Sequence, residues 1–314
     1  MVNETLKELL DLLDLEQIEV NIFRGRSPEE RQQRVFGGQV AGQALVAAGR
    51  TVQPDRAVHS LHAYFIRPGD PSVPIVYDVD RVRDGRSFTT RRVTAIQHGK
   101  AIFTLSASFQ KPEKGPEHHA PMPEAPDPET LPLMRDRMAK VFGDEIADRF
   151  VRRRPFDVRH ATPLTWEAAK DQALKTPESR VWLRVDTGGG PTGGGPEGQG
   201  GGESTGQGGG ESPDLPDDPL LHVCLMTYAS DMTLLDTVLL NHGLAWGDNR
   251  TMGASLDHAM WFHKPFRADQ WLLYAQDTPA AAGGRGLARG EVFTQDGDLV
   301  VSVVQEGLIR VSDL

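Results

Sequence analysis

Three polar residues in the last third of the chain, Asp231, Ser255 and Gln305, are of types that activate water. A carboxylate accepts a proton from water. An amide and a hydroxyl each donate or accept, so together they can hold that water in line with an activated acyl carbon. Backbone N–H groups would then stabilise the oxyanion. Each residue also has a purely structural reading. Asp231 follows Ser230 at an expected helix start, where a carboxylate favours the helix dipole. Ser255 can be a strand-edge hydroxyl. Gln305 follows the largely apolar run Leu299-Val300-Val301-Ser302-Val303-Val304 and needs a partner if it is buried.

A comparison inside the chain singles the three out. Residues 5–15 repeat leucine at Leu6, Leu9, Leu10 and Leu13, the spacing of one helix face. Leu15 to Phe23 reads as a strand. A slim helix opens at Phe36-Gly37-Gly38 and runs from Gln39 to about Arg50, rich in small apolar residues. Strands follow at about 57–67, 73–83, 87–97 and 100–110, with turns at Arg67-Pro68-Gly69-Asp70, Asp84-Gly85 and His98-Gly99. Residues 111–135 are rich in proline and charge and read as a linker. A connecting helix is marked by Met138, Val141, Phe142, Ile146 and Phe150, and strands are expected at Pro155 to His160 and Arg180 to Val185. Then the first pattern returns, with a helix over 228–242 and strands at 255–264, 271–278, 285–294 and 298–311. Tyr64-Phe65-Ile66-Arg67-Pro68 matches Trp261-Phe262-His263-Lys264-Pro265, and a tyrosine follows each proline nine positions on, Tyr77 and Tyr274. Gln97-His98-Gly99 matches Gln295-Asp296-Gly297 after one residue of slippage.

The expected architecture is α+β: two tandem units, each a helix wrapped by an antiparallel sheet, forming one continuous sheet, a double hotdog. The first unit covers 1–112, a linker and connecting helix 113–150, and the second unit 151–314. A Gly-rich segment at about 187–216 interrupts the second unit. It is nearly devoid of apolar side chains and reads as a flexible loop. In this alignment Asp231 meets Gln39, Ser255 meets Val58 and Gln305 meets Ala107. The three polar groups converge from one helix and two strands, and only in the second copy.

The runs Phe36-Gly37-Gly38-Gln39, Tyr64-Phe65-Ile66-Arg67-Pro68-Gly69-Asp70, Tyr228-Ala229-Ser230-Asp231, Asp257-His258-Ala259-Met260-Trp261-Phe262-His263 and Val304-Gln305-Glu306-Gly307 resemble the acyl-CoA thioesterase II family. The resemblance implies a double hotdog that hydrolyses acyl-CoA to a fatty acid and CoA. It also implies Asp231, Ser255 and Gln305 as the catalytic set, a directly attacking water without a covalent acyl-enzyme, and dimers or tetramers. Many bacterial members have Thr where this chain has Ser255.

The chain has 314 residues and a formal charge of −10, which argues against a general affinity for nucleic acid. No stretch reaches the length of a membrane span, and the acidic N-terminus is no signal peptide. The ending Ser312-Asp313-Leu314 carries Asp where a peroxisomal address has Lys, so a cytoplasmic protein is expected. The single cysteine, Cys224, sits among apolar neighbours and reads as a buried thiol. No metal or cofactor is called for.

Several other signals are weak. Gly253-Ala254-Ser255-Leu256-Asp257 lacks the final glycine of a nucleophile elbow, and a strand position three residues from Ser255 puts His258 on the opposite face. Gly284-Arg285-Gly286 and Gly290 precede a strand rather than a helix. Arg81, Arg83, Arg86, Arg91 and Arg92 read either as a solvated strand face or as contacts to CoA phosphates. A non-catalytic acyl-CoA-binding hotdog and an enoyl-CoA hydratase are the competing functions. The hydratase would need a paired Asp and His.

Overall fold

A computed structural model describes residues 4–28, 34–151, 155–188, 215–248 and 250–312. The first part comprises α1 (Glu4–Leu13), β1 (Glu16–Glu19), β2 (Ile22–Gly25), α2 (Gly37–Gly49), β3 (Ala57–Phe65), β4 (Ile75–Asp84), β5 (Phe88–Gln97) and β6 (Lys100–Gln110). The middle holds α3 (Met134–Phe142), α4 (Asp144–Val151), β7 (Phe156–His160), α5 (Thr165–Lys170) and β8 (Glu178–Val185). The last part holds α6 (Pro219–Ser230), α7 (Asp236–His242), β9 (Thr251–Ser255), β10 (Asp257–Phe262), β11 (Leu272–Ala282), β12 (Arg285–Thr294) and β13 (Leu299–Val311).

The strands form one antiparallel sheet in the order β1-β2-β4-β5-β6-β3-β10-β13-β12-β11-β8-β7, with β9 paired to β13. The order is palindromic about the β3–β10 pair. The register repeats as well: Ala107 lies opposite Arg91 in the first half, and Gln305 opposite Ala288 in the second. Both halves also bulge at the same place. Pairing of β3 with β6 slips between Val58 and Ser60. Pairing with β13 slips by one residue between β9, where Ser255 faces Gly307, and β10, where Ala259 faces Val304. This is the double hotdog expected from the sequence.

Local chemistry explains the elements. Leu6, Leu9 and Leu13 form the buried stripe of α1. Inner and outer positions alternate along β5, as a sheet with one packed face requires. Two-residue hairpins join β5 to β6 at His98-Gly99 and β11 to β12 at Gly283-Gly284. Both residues of each turn have positive φ, the conformation that matches strand twist. The slim helix α2 lies close to more than the sheet. A Cβ at Gly38 would fall inside 3.0 Å of the Tyr228 carbonyl oxygen, and one at Gly42 at 3.3 Å from that of Cys224. Glycines one turn apart thus let α2 and α6 pack backbone to backbone. Cys224 is fully buried, and burial pushes its thiol pKa up.

Four expectations need correction. Leu15–Phe23 is a hairpin of β1 and β2 rather than one strand, because the chain turns at Val20-Asn21. The connecting helix is two helices, broken at Gly143 with φ 86°. The helix over 228–242 is also two, α6 and α7, separated by a turn at 231–235. Of the first-half Arg group, Arg81, Arg83, Arg86 and Arg92 are exposed, as a solvated strand face expects, but Arg91 is not: it is 1% exposed and donates to Thr51 and Asp84. The linker is docked rather than loose. Met122, Ala125 and Leu131 pack on a second core around Trp182, Trp271 and Phe293, and the two indoles donate to Pro126 O and Glu129. Residues 189–214, most of the Gly-rich segment, lie outside the described residues. No described helix is long and apolar enough to cross a membrane.

His160 makes stability depend on pH. Its Nε2 is buried without a hydrogen-bond partner among the described residues, and burial, helped by the Arg137 charge, pushes its pKa down to about 3. Between that value and the ordinary 6.5 the unfolded chain binds the extra proton. The stabilisation is therefore complete above about 6.5 and is lost as pH falls. Urea unfolding is expected to show about 2 kcal/mol less stability at pH 5 than at pH 7 from this group alone. His160→Gln should flatten that slope, and an unchanged slope would rule the assignment out.

Candidate active site

The site forms where the two halves meet. A cavity of about 730 Å³ is lined on one side by Phe36, Gly37, Val40, Phe65, Ile102 and Phe103, and on the other by Asp231, Met232, Leu235, Trp246, Gly253 and Ser255. Its walls combine apolar side chains with the polar groups of Arg34, Arg67, Asp231, Asp236 and Ser255, and its volume lies within the usual range of a small-molecule site. Arg34 and Arg67 stand at its exposed rim, donating to Gly253 O and Ala101 O respectively.

Asp231 ends α6. It is the C-cap, in a right-handed conformation (φ −83°), and not the helix start that the sequence suggested. The dipole reading of this residue is therefore overturned, since a carboxylate at a helix C-terminus is not favoured by the dipole. Other groups hold it. Ser255 Oγ donates to Asp231 Oδ1 at 3.0 Å, and Gln305 Nε2 donates to the same oxygen at 2.6 Å. Ser255 is half-buried at the end of β9, and Gln305 is fully buried on β13. The structure thus brings the three sequence candidates into one hydrogen-bonded cluster. It differs from expectation in one respect: the amide and hydroxyl bind the carboxylate directly.

The second oxygen, Asp231 Oδ2, takes no hydrogen bond among the described residues. It lies beside the first turn of α2, where a Cβ at Gly37 would stand 2.6 Å from it and 2.8 Å from the Phe65 ring. Only glycine lets the start of this helix approach the carboxylate so closely. The N–H groups of a first helical turn have no intrahelical acceptor, and they favour negative charge.

The bulge decides which side chains share the site. One extra residue at 256–258 resets the inward and outward alternation. Leu256 N donates to Glu306 O, and the Asp257 carboxylate accepts from Glu306 N at 2.7 Å. The expectation that Ser255 and His258 point to opposite faces fails for this reason. Ser255 reaches Asp231 while His258, 1% exposed, reaches Ser230 Oγ at 2.8 Å. His258 does not line the cavity, and Ser255 donates to Asp231 rather than to an imidazole, so no nucleophilic Ser–His pair exists here.

Sequence reasoning missed Gly37 and Trp246 as site residues. Gly37 lay within a quoted motif, and its role depends on a helix from the other half. The Trp246 indole donates to Asp236 and packs on Gly253 across the cavity mouth. The glycines at 284–290 belong to a hairpin: a Cβ at Gly286 would collide with Val238 and one at Gly290 with Tyr274. The first-half counterparts are spent on structure. Gln39 donates to Arg26 O, and Val58 and Ala107 are buried in the core.

Comparison with known proteins bears on the family and the fold. Residues 26–110 match a family model described as the acyl-CoA thioesterase N-terminal domain, and residues 211–308 one described as acyl-CoA thioesterase. Acyl-CoA thioesterase 2 of Haemophilus influenzae is 38% identical over 99% of this chain and 100% of its own length. Acyl-coenzyme A thioesterase 8 of Homo sapiens is 38% identical over 96% of this chain and 88% of its own. The crystal structure of an acyl-CoA thioesterase II, TesB2, from Mycobacterium marinum superposes with a TM-score of 0.73 at 41% identity, covering 98% of each chain. With near-full-length identity at this level and a matching fold in both halves, the chain belongs to the acyl-CoA thioesterase II family, enzymes that hydrolyse acyl-CoA thioesters.

Proposed function

We propose that this chain hydrolyses fatty acyl-CoA to free fatty acid and CoA through a water activated by Asp231, with Ser255 and Gln305 holding the carboxylate. The observation that carries the reading is the asymmetry of that carboxylate. Oδ1 accepts from both partners, and Oδ2 is left facing the cavity beside Gly37. A base fixed in this way has one oxygen positioned and one oxygen available. Water gives its proton to Oδ2 as its oxygen attacks the thioester carbon. The oxyanion forms against the first-turn N–H groups of α2. Collapse breaks the carbon–sulfur bond, and the proton on Asp231 passes to the leaving thiolate, which restores the carboxylate.

The apolar walls from Val40, Phe65, Phe103, Met232 and Leu235 suit an acyl chain. Arg34 and Arg67 at the rim suit the phosphates of CoA, which guanidinium groups bind well. Residues 151–314 carry the catalytic groups and residues 1–112 carry walls and the helix N-terminus, so the reading is one centre per chain. The assembly proposed from the family resemblance is a cytoplasmic homodimer or homotetramer. The test is thiol release from a panel of acyl-CoAs of increasing chain length. Release is expected for at least part of the panel; saturable binding with no release at any length would favour the non-catalytic reading instead.

A further inference from the structure

Gln305 has two ends, and Asp231 uses only one. A carboxylate accepts and does not donate, so the hydrogen bond at 2.6 Å fixes the NH2 end of the amide toward Asp231. The carbonyl end, Oε1, is then turned into the protein, buried, with no hydrogen bond of good geometry among the described residues. One other buried polar atom nearby is in the same condition: Nδ1 of His258. The two residues are neighbours. Ala259 pairs with Val304 across β10 and β13, which makes His258 and Gln305 the next positions along, both buried on the inner face. The amide also interacts with the imidazole, favouring its protonated form against the stronger effect of burial.

The Ser230 hydroxyl has a single proton and two acceptors in reach, Thr227 O at 3.0 Å and the other ring nitrogen of His258, so its contact admits either tautomer. His258 Nε2 lies 2.8 Å from Ser230 Oγ. If the neutral ring carries its proton on Nδ1, Ser230 turns its proton from Thr227 O to Nε2, Nδ1 donates to Gln305 Oε1, and Gln305 Nε2 donates to Asp231 Oδ1. Each donor then points toward the carboxylate, an arrangement in which successive hydrogen bonds strengthen one another. With the proton on Nε2, Nδ1 and Oε1 would be two buried acceptors on neighbouring residues, each without a donor, the costlier arrangement.

We infer that His258 is a positioning residue: through Nδ1–H it holds the Gln305 amide in the one orientation that presents NH2 to Asp231. His258 touches no substrate, and its effect passes through Gln305. Without it the bond to Asp231 is left to hold the amide alone, and the carbonyl end is no longer fixed. This rests on Asp231 being the base, as proposed above.

The experiment is a double-mutant cycle in kcat for acyl-CoA hydrolysis, using the full chain with His258→Leu, Gln305→Ala and both together. His258→Leu alone should lower kcat roughly tenfold to a hundredfold with KM changed less than about threefold, the size of effect expected when one buried hydrogen bond fails. In the Gln305→Ala background the same change should have almost no further effect on kcat. His258→Asn, whose amide N–H can stand near the place of Nδ1–H, should restore most of kcat. Independent, multiplying effects of the two changes would overturn the inference, since a packing role alone behaves in that way. If the Leu variant does not fold, the 15N spectrum of the wild-type imidazole decides the matter: Nδ1–H supports it and Nε2–H overturns it. Asp231→Asn is run beside these. Near-normal turnover there would remove the catalytic reading itself, whereas an inactive Asp231→Asn with a multiplying cycle would remove only the role of His258.

Discussion

Asp231→Asn is expected to lower kcat for acyl-CoA hydrolysis by about a hundredfold to ten-thousandfold, the span general base catalysis contributes. The amide keeps the shape of the side chain, so its carbonyl oxygen can still accept from Ser255 and Gln305 where Oδ1 does now. The remaining position becomes NH2 and cannot take a proton from water. Binding should survive, because the apolar walls and the rim arginines are untouched. The measurement is kcat and KM by thiol release, together with a thermal melt. A loss of kcat with KM and melting temperature near wild type identifies Asp231 as the base. A rate within a few fold of wild type would reject it and with it the water mechanism. A variant that melts early would show that the carboxylate holds the α6–α7 turn together.

Two adjacent glycines are expected to fail in different ways when changed to alanine. At Gly37 the new methyl would stand 2.6 Å from Asp231 Oδ2 and 2.8 Å from the Phe65 ring. The Phe65 ring is half-buried at the cavity edge and can give way, but the carboxylate is held by two hydrogen bonds. Gly37→Ala should therefore displace the reacting groups and cost about a hundredfold in kcat, as misplacement by about 1 Å does, with little change in melting temperature. At Gly38 the methyl would meet the backbone carbonyl of Tyr228, which cannot rotate away. Gly38→Ala must part α2 from α6 and is expected to cost about 1–3 kcal/mol of stability, as overpacked cores do. Tyr228 lies three residues before Asp231 on the same chain segment, so activity should fall as well. Melts and kcat on both variants check this. A Gly37→Ala enzyme with full activity would mean that α2 does not crowd the carboxylate during turnover.

How much of this was legible in the sequence follows from the range of the forces involved. Most strands of the two meanders read correctly because alternation and turn chemistry are local: His98-Gly99 can form its two-residue hairpin wherever it stands, whereas the breaks within 15–23 and 255–264 carry no such signal. The three catalytic candidates were legible because duplication supplied an internal reference, in which Gln39, Val58 and Ala107 show what those positions hold when they only build the fold. Helix limits were less legible. Apolar residues run through 219–242, and the turn at 231–235 has no proline or glycine to mark it. The break belongs to the tertiary fold, which places Asp231 between α6 and α7 with its carboxylate bound by Ser255 and Gln305.

Repeat spacing pointed to the double hotdog, the resemblance of several motif runs to the family, and the two together to Asp231, Ser255 and Gln305 as candidates. Only the tertiary structure decided what those residues bind. A one-residue bulge changes the parity of a strand without any signal in composition, and here it brings Ser255 and His258 toward the same turn. The close approach of Gly37 to Asp231 joins residues 194 positions apart. Sequence patterns record which face of an element is apolar, but they do not record where a second element's side chain meets that face, and the proposed site is built on that meeting.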